Sequence, residues 1–230
     1  MKKRRTPGRI PPETAPGTCT ALVISGGGAK GAFAAGVIRQ IYREYRSGGW
    51  FSIIGGSSTG ALITPLAGLL AAPPEIAEPA LLELLNQYSS VHTSDILEKN
   101  SVIEFIKRQN CLNSSTPLRK RVSQVFRPEC FEWLRREDMP YCYVVYTNYQ
   151  SGNLEIVSPK DPGMTRERFI DAMIASASVP VVMEPTIIDG LRPDTELTDN
   201  PMRFDPKQMQ QWIELGEQKA RSVLTANPFA

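Results

Sequence analysis

One serine in the sequence is placed where a nucleophile would be expected. Ser58 is the central residue of Gly56-Ser57-Ser58-Thr59-Gly60, a GxSxG pattern that separates the apolar run 51–54 from a segment of helical character. Such a turn holds a serine in a strained conformation at a helix N-terminus, where the helix dipole favours an oxyanion. Gly56 and Gly60 leave room for the bend and for a substrate. The pattern predicts acyl transfer through Ser58; the alternative is a glycine turn that only joins two elements.

A second glycine-rich segment lies at the end of an earlier apolar run. Gly26-Gly27-Gly28-Ala29-Lys30-Gly31 follows residues 21–24 and precedes a helical pattern. Consecutive glycines let backbone N–H groups converge on one point, which suits an oxyanion hole or a bound phosphate. A Walker loop is excluded because no Lys-Ser or Lys-Thr pair follows the glycines. Lys30 is interpreted either as an anchor for the loop or for a lipid phosphate, or as a solvent-facing lysine.

The same glycine segment also satisfies the GxGxxG pattern of dinucleotide-binding folds. Those folds place an acidic residue at the end of the second strand, about 20 residues further on. The second predicted strand ends instead in Gly55-Gly56-Ser57. Dinucleotide binding is therefore kept only as a distant alternative.

The sequence contains a single histidine, His92. α/β-Hydrolases order their triad as serine, acid and then histidine. No histidine follows residue 92, so that triad cannot be assembled in its usual order. Either His92 acts from an unusual place or a carboxylate deprotonates the serine directly. The polar surroundings of His92, residues 89–95, favour a surface loop.

Together these motifs resemble those of the patatin-like phospholipases, over about residues 20–201. Weaker likenesses follow in the same order, at residues 115–119, 147–152 and 171–180. The resemblance implies a serine lipid acyl hydrolase with a Ser–Asp dyad, no cofactor and no metal. Its substrate would be a lipid or another acyl ester, met at a membrane surface. The residues implied are Ser58 as the nucleophile and Gly26, Gly27 and Gly28 as the oxyanion hole.

The acid of the family stands in a DGG motif, six residues before an Asn that is soon followed by Pro. Asp194 has that spacing to Asn200-Pro201 and is the acid that the resemblance implies. Thr195 and Glu196 replace the two glycines, which leaves open a relative that binds lipid without turnover. Asp189, which keeps a following glycine, is the alternative acid, and Asp199 is the third candidate.

The order of the elements predicts how these residues are positioned. A strand, a glycine loop and a helix occur twice in the first third of the chain. This alternation predicts the α/β class, with a central, mostly parallel sheet flanked by helices on both faces in three layers. A hairpin is predicted at residues 141–157 and a helix at 169–176. In the first helix, apolar residues recur at three- and four-residue steps and predict one apolar face: Phe33, Val37, Ile38, Ile41, Tyr42 and Tyr45.

Length and charge set the remaining expectations. The 230 residues suit one domain, predicted at 19–230 after a disordered basic tail at 1–18. A net charge of +2 gives no indication of nucleic-acid binding, and the oligomeric state is left open. No signal peptide is predicted, because no apolar run directly follows the basic start. No transmembrane helix is predicted, because Lys30 and several glycines interrupt the most apolar region. The cytoplasm or a membrane periphery is the expected location, with secretion as an effector left open.

The four cysteines are scattered along the sequence and form no CxxC pair. This spacing indicates neither a zinc site nor a dense disulfide framework. They are therefore expected to be reduced thiols of the core.

Overall fold

The computed structural model describes residues 19–45, 51–89, 98–99, 113–148, 151–178, 183, 186 and 188. The first third of the chain repeats one unit of strand, turn and helix, as predicted. Its elements are β1 (Ala21–Ile24), a 3₁₀ turn (Gly28–Lys30), α1 (Gly31–Tyr45), β2 (Ile53–Ser57), α2 (Thr59–Leu69) and α3 (Pro74–Ser89).

The remaining described elements are a two-stranded ladder, three helices and a hairpin. They are β3 (Glu98–Lys99), β4 (Asn113–Ser114), α4 (Thr116–Val125), α5 (Pro128–Arg135), β5 (Tyr141–Thr147), β6 (Leu154–Val157) and α6 (Arg166–Ala177). The predicted helix at 169–176 lies inside α6. The side chain of Thr165, at the N-cap of this helix, accepts a hydrogen bond from the Arg168 N–H.

The main sheet has four strands in the order β1-β2-β5-β6. The first three are parallel, with Ile53 of β2 in register between Ala21 of β1 and Tyr141 of β5. Strand β6 runs antiparallel to β5, which confirms the predicted hairpin. The α/β class, with a mostly parallel sheet flanked by helices, is therefore confirmed. Because parallel strands share one direction, the segments that follow β1 and β2 emerge at the same edge of the sheet.

Helix α2 is buried on nearly every side. Every residue of it except Leu62 is buried, and the sequence 59–69 contains no charged side chain. A helix that is apolar all round is stable only inside a protein. It packs against β2, β5, α3 and α6. Its polar Thr64 is satisfied within the helix, because the hydroxyl donates to the Gly60 carbonyl at 2.9 Å.

The buried face of α1 differs from the predicted one. Ala35 and Ile38 are buried, whereas Phe33 is 79 % exposed and Val37 is 39 % exposed. Residues 31, 35, 38 and 42 follow one another at steps of three or four and share a helix face, and it is this face that carries the buried Gly31 and the half-buried Tyr42. The prediction was therefore confirmed for Ile38 and Tyr42 and wrong for Phe33 and Val37, because the small residues Gly31 and Ala35 complete the contact face.

The described cysteines are free thiols in three different environments. Cys142 is buried, Cys130 is half-buried and Cys19 is exposed, so the core placement expected for Cys19 was wrong. Cys142 lies in the interior of β5, and burial raises its pKa to about 12, with a small opposing effect from Lys160. Cys111 lies outside the described residues.

Candidate active site

Ser58 stands alone between the last residue of β2 and the first residue of α2. Its backbone has φ 53° and ψ −125°, and it is the only non-glycine residue with a positive φ among those that the structure describes. An L-residue in this region is strained by about 1–3 kcal/mol. Its carbonyl accepts the Ala61 N–H at 2.9 Å and so opens the first turn of α2. The half-buried serine is thus held on a sharp turn at a helix N-terminus.

The glycines that flank Ser58 allow α2 to approach the sheet closely. A Cβ atom on Gly60 would lie 2.0 Å from the carbonyl oxygen of Ile24, the last residue of β1. A Cβ atom on Gly56 would lie 2.3 Å from the Gly60 carbonyl oxygen. Any side chain at either position would push the helix away from the strands. Gly56 and Gly60 therefore fix where the turn at Ser58 can sit.

Gly26 lies directly against Ser58. A Cβ atom on Gly26 would be 2.8 Å from the Ser58 Cβ and 3.4 Å from its Oγ. The two segments meet because β1 and β2 are parallel neighbours whose C-terminal ends share one edge of the sheet. The structure therefore brings Gly26, the first glycine of this segment, against the Ser58 hydroxyl.

The glycine segment continues from Gly26 into the 3₁₀ turn. Gly28 has φ 55°, and the Lys30 N–H donates to the Gly27 carbonyl at 3.1 Å. Gly28 and Ala29 open this turn, and the first N–H groups of a helix have no acceptor within it. The residues from Gly26 to Lys30 are exposed, Lys30 among them. The segment thus begins against Ser58 at Gly26 and is exposed along its length.

The Ser58 N–H is held by a side chain that lies far away in the sequence. It donates to the Ser176 hydroxyl at 2.8 Å, and this hydroxyl donates in turn to the Val145 carbonyl at 2.6 Å. Ser176 belongs to the last turn of α6, and Val145 is the partner of Ser57 in the register of β5 and β2. The sequence does not predict this contact, since it places Ser176 only at the end of the predicted helix 169–176 and in the segment 171–180.

A second side-chain contact holds the residue after Ser58. The Thr59 and Tyr88 hydroxyl oxygens are 2.6 Å apart, which joins the first residue of α2 to the last turn of α3. Burial raises the pKa of Tyr88, and the hydrogen bond with Thr59 partly opposes this rise. Thr59 is itself buried, so its hydroxyl needs this partner.

With this geometry in place, comparison with known families gives a clear result. The model of the patatin-like phospholipase family matches residues 22–203. The chain belongs to the patatin-like phospholipase family. No curated protein matches the sequence significantly. The family match confirms the resemblance and covers the glycine segment, Ser58 and the three candidate acids.

Two segments of this patatin-like chain that carry weaker family likenesses, 115–119 and 171–180, meet through an ion pair. Arg119 of α4 contacts Asp171 of α6 through one guanidinium nitrogen and one carboxylate oxygen. The two side chains are 43 % and 21 % exposed. The pair therefore lies at the rim of the fold and joins the helix that carries Ser176 to its neighbour.

The candidate acids of the patatin-like site, Asp194, Asp189 and Asp199, lie outside the described residues, as does His92. Ile188, which directly precedes Asp189, is described and packs against the hydrophobic core. The pairing of Ser58 with any of these groups thus stays a prediction.

Two further searches concern metals and membranes. The part of the chain that the structure describes contains no group of three or more His, Cys, Asp or Glu side chains arranged to hold a metal ion. Within the same residues, none of the helices combines the length and the apolar character that crossing a bilayer requires.

Proposed function

We propose that this patatin-like protein is a serine lipid acyl hydrolase of the phospholipase A, lysophospholipase or esterase type. Ser58 is the nucleophile, Asp194 is the base, and the amides of Gly26, Gly27 and Gly28 form the oxyanion hole. The observation that carries the proposal is the strained Ser58 turn packed directly against Gly26.

The backbone of Ser58 supports its role as the nucleophile. Strain of this kind persists only where the surrounding structure enforces it, and it is common at catalytic residues. Here Gly56 and Gly60 allow α2 to pack closely against the sheet, which enforces the turn. The buried helix α2 then holds the residue that follows Ser58 in place. A turn that merely joined a strand to a helix would need none of these constraints.

The glycine segment supports the proposed oxyanion hole. The Ser58 N–H is already donated to Ser176, so the donors for an oxyanion must come from other amides. Gly26 lies against the Ser58 hydroxyl, and the glycines that directly follow it in the chain are exposed. One such donor typically contributes about 3–4 kcal/mol to lowering the barrier. The exposed Lys30 at the end of the same segment is suited to contact a lipid phosphate.

The proposed reaction follows from these groups. The Ser58 Oγ attacks the ester carbonyl carbon while Asp194 takes the hydroxyl proton, and the carbonyl oxygen becomes an oxyanion held by the glycine amides. The bond to the alcohol breaks, and the alcohol leaves with that proton. Water then hydrolyses the acyl-serine and releases the carboxylic acid. A carboxylate with an ordinary pKa of about 4 is a weak base, so the dyad needs burial or a close hydrogen bond.

Two other functions are compatible with parts of the sequence. A lipid-binding relative without turnover is allowed by Thr195 and Glu196, which replace the family's glycines. A dinucleotide-binding protein is disfavoured, because β2 ends at Ser57 and runs into the Ser58 turn without presenting a carboxylate. We therefore retain the acyl hydrolase as the function that the geometry supports best.

Labelling with a fluorophosphonate tests the proposal, because this reagent reacts only with an activated serine. We expect one adduct, at Ser58, and hydrolysis of a chromogenic acyl ester. Ser58→Ala should abolish both. The matched control is Ser57→Ala, the exposed neighbouring serine in the same turn, which should keep both. Lipid binding without labelling would favour the inactive relative, and equal labelling of wild type and Ser58→Ala would refute Ser58 as the nucleophile.

A further inference from the structure

The hydroxyl of Ser176 fills a gap in the sheet at the point where the chain turns into Ser58. Strand β2 ends at Ser57, whose partner in β5 is Val145. Immediately beyond, the Ser58 N–H and the Val145 carbonyl do not pair directly but are bridged by the Ser176 hydroxyl. The bridge extends the hydrogen bonding between the two strands by one residue past the end of β2.

The direction of both hydrogen bonds is fixed by chemistry. A backbone N–H can only donate and a carbonyl oxygen can only accept. The single hydroxyl proton of Ser176 therefore goes to Val145, and its lone pairs accept from Ser58. Distances of 2.8 and 2.6 Å place both bonds within the normal range for their types. An alanine at position 176 would leave both backbone groups without this partner.

We propose that Ser176 is the positioning residue of the nucleophile. By accepting the Ser58 N–H, it holds the strained backbone in the one orientation that directs the Ser58 Oγ toward the glycine segment. It touches neither the substrate nor the reacting atoms, and acts only through the backbone of Ser58. The inference rests on the proposed function, since it assigns a role to the surroundings of the same nucleophile.

Two serines in the same helix end make a matched comparison. Ser176 and Ser178 are both half-buried, and both hydroxyls donate to a backbone carbonyl. The Ser178 hydroxyl donates to Ile174 at 2.8 Å, within its own helix end, and the contact with the Ser58 N–H is made by Ser176. Ser178→Ala therefore removes a comparable hydrogen bond without releasing Ser58.

The test compares Ser176→Ala, Ser176→Thr and Ser178→Ala by fluorophosphonate labelling, ester hydrolysis and melting temperature. A misplacement of about 1 Å can cost about 100-fold in rate, so we expect Ser176→Ala to lower kcat and the labelling rate about 10- to 100-fold with KM little changed. Ser176→Thr, which keeps a hydroxyl, should restore most of the rate. Ser178→Ala should lower the melting temperature by no more than Ser176→Ala does and leave the rate unchanged.

A second measurement makes the test independent of activity. The amide proton of Ser58 should exchange slowly with solvent in the wild type and in Ser178→Ala, and faster in Ser176→Ala. Rapid exchange of this proton in the wild type would overturn the inference even if Ser176→Ala failed to fold. An unchanged labelling rate in folded Ser176→Ala would also overturn it. If the wild type showed no labelling at all, the proposed function would fail, while the exchange data would still decide whether Ser176 holds Ser58.

Discussion

The hydroxyl oxygens of Thr59 and Tyr88 lie 2.6 Å apart and connect the residue after Ser58 to a different helix. Ser58 is thus flanked by two long-range contacts, one from its own N–H to Ser176 and one from its neighbour to Tyr88. The turn is fixed on both sides by side chains that are distant in the sequence.

Removing the Tyr88 hydroxyl should destabilise the fold measurably. Tyr88→Phe leaves the buried Thr59 hydroxyl without its partner, which typically costs about 1–3 kcal/mol. Thr59→Val should cost a similar amount, and the double variant should cost less than the sum, because both polar groups are then gone. Urea unfolding of the four proteins measures this coupling. Tyr141→Phe, at a tyrosine that is 47 % exposed, is the control and should change stability by less than about 0.5 kcal/mol. Additive effects would show that the two hydroxyls are not coupled.

A methyl group on Gly26 should impair the site more than the fold. Its Cβ would be 2.8 Å from the Ser58 Cβ, so Gly26→Ala must displace either the serine or the glycine segment. We expect kcat for ester hydrolysis to fall about 100-fold. The control is Gly36→Ala in α1, where an added Cβ meets no atom within 4 Å. That change should preserve activity and stabilise the helix by about 0.5–1 kcal/mol. Full activity in Gly26→Ala would contradict the close packing of the two segments.

The buried thiol of Cys142 should make the protein less stable in alkali. Burial raises its pKa from 9.0 to about 12, so the folded state keeps the proton while the unfolded state loses it above pH 9. The stabilising contribution is therefore complete below pH 9 and is lost as pH rises toward 12. The free energy of unfolding should fall by up to about 1.4 kcal/mol per pH unit in that window. Between pH 9 and 10, Cys142→Ala should show a shallower fall, and an identical pH profile would contradict the assignment.

The choice of acid can be decided by comparing two isosteric variants. If Asp194 is the base, Asp194→Asn should abolish ester hydrolysis and slow fluorophosphonate labelling of Ser58 by at least about 100-fold, since general-base catalysis contributes about 100- to 10,000-fold. Asp189→Asn should then retain most of the activity and serves as the matched control. The reverse pattern would assign the base to Asp189. Full activity in both variants would exclude Asp194 and Asp189 alike as the base.

The strand-to-helix turns were predictable because their signals are local. Glycines after the first apolar run indicated where β1 stops, and the spacing around Ser58 indicated a strained serine at a helix start. Strand β2 instead runs through Gly55 and Gly56 as far as Ser57. The meeting of Gly26 with Ser58 then follows from parallel pairing, which brings the ends of neighbouring strands to one edge.

The long-range hydrogen bonds that hold the turn at Ser58 could not be predicted in the same way. Ser176 and Tyr88 reach the site from α6 and α3, and no local pattern distinguishes a serine that bridges two strands from one that faces water. The face of α1 was mispredicted for a related reason. Hydrophobic spacing identified Ile38 correctly, but the close packing of α1 also uses the small residues Gly31 and Ala35 and leaves Phe33 exposed.

The burial of α2 has a consequence for how the protein loses activity. Segments that open by local fluctuation are those with few buried contacts, whereas fully enclosed helices exchange their amide hydrogens only when the whole domain unfolds. Helix α2 belongs to the second kind. Helix α2, which directly follows Ser58, should therefore not unfold separately from the rest of the domain. Heat or denaturant should inactivate the protein and unfold it in a single transition.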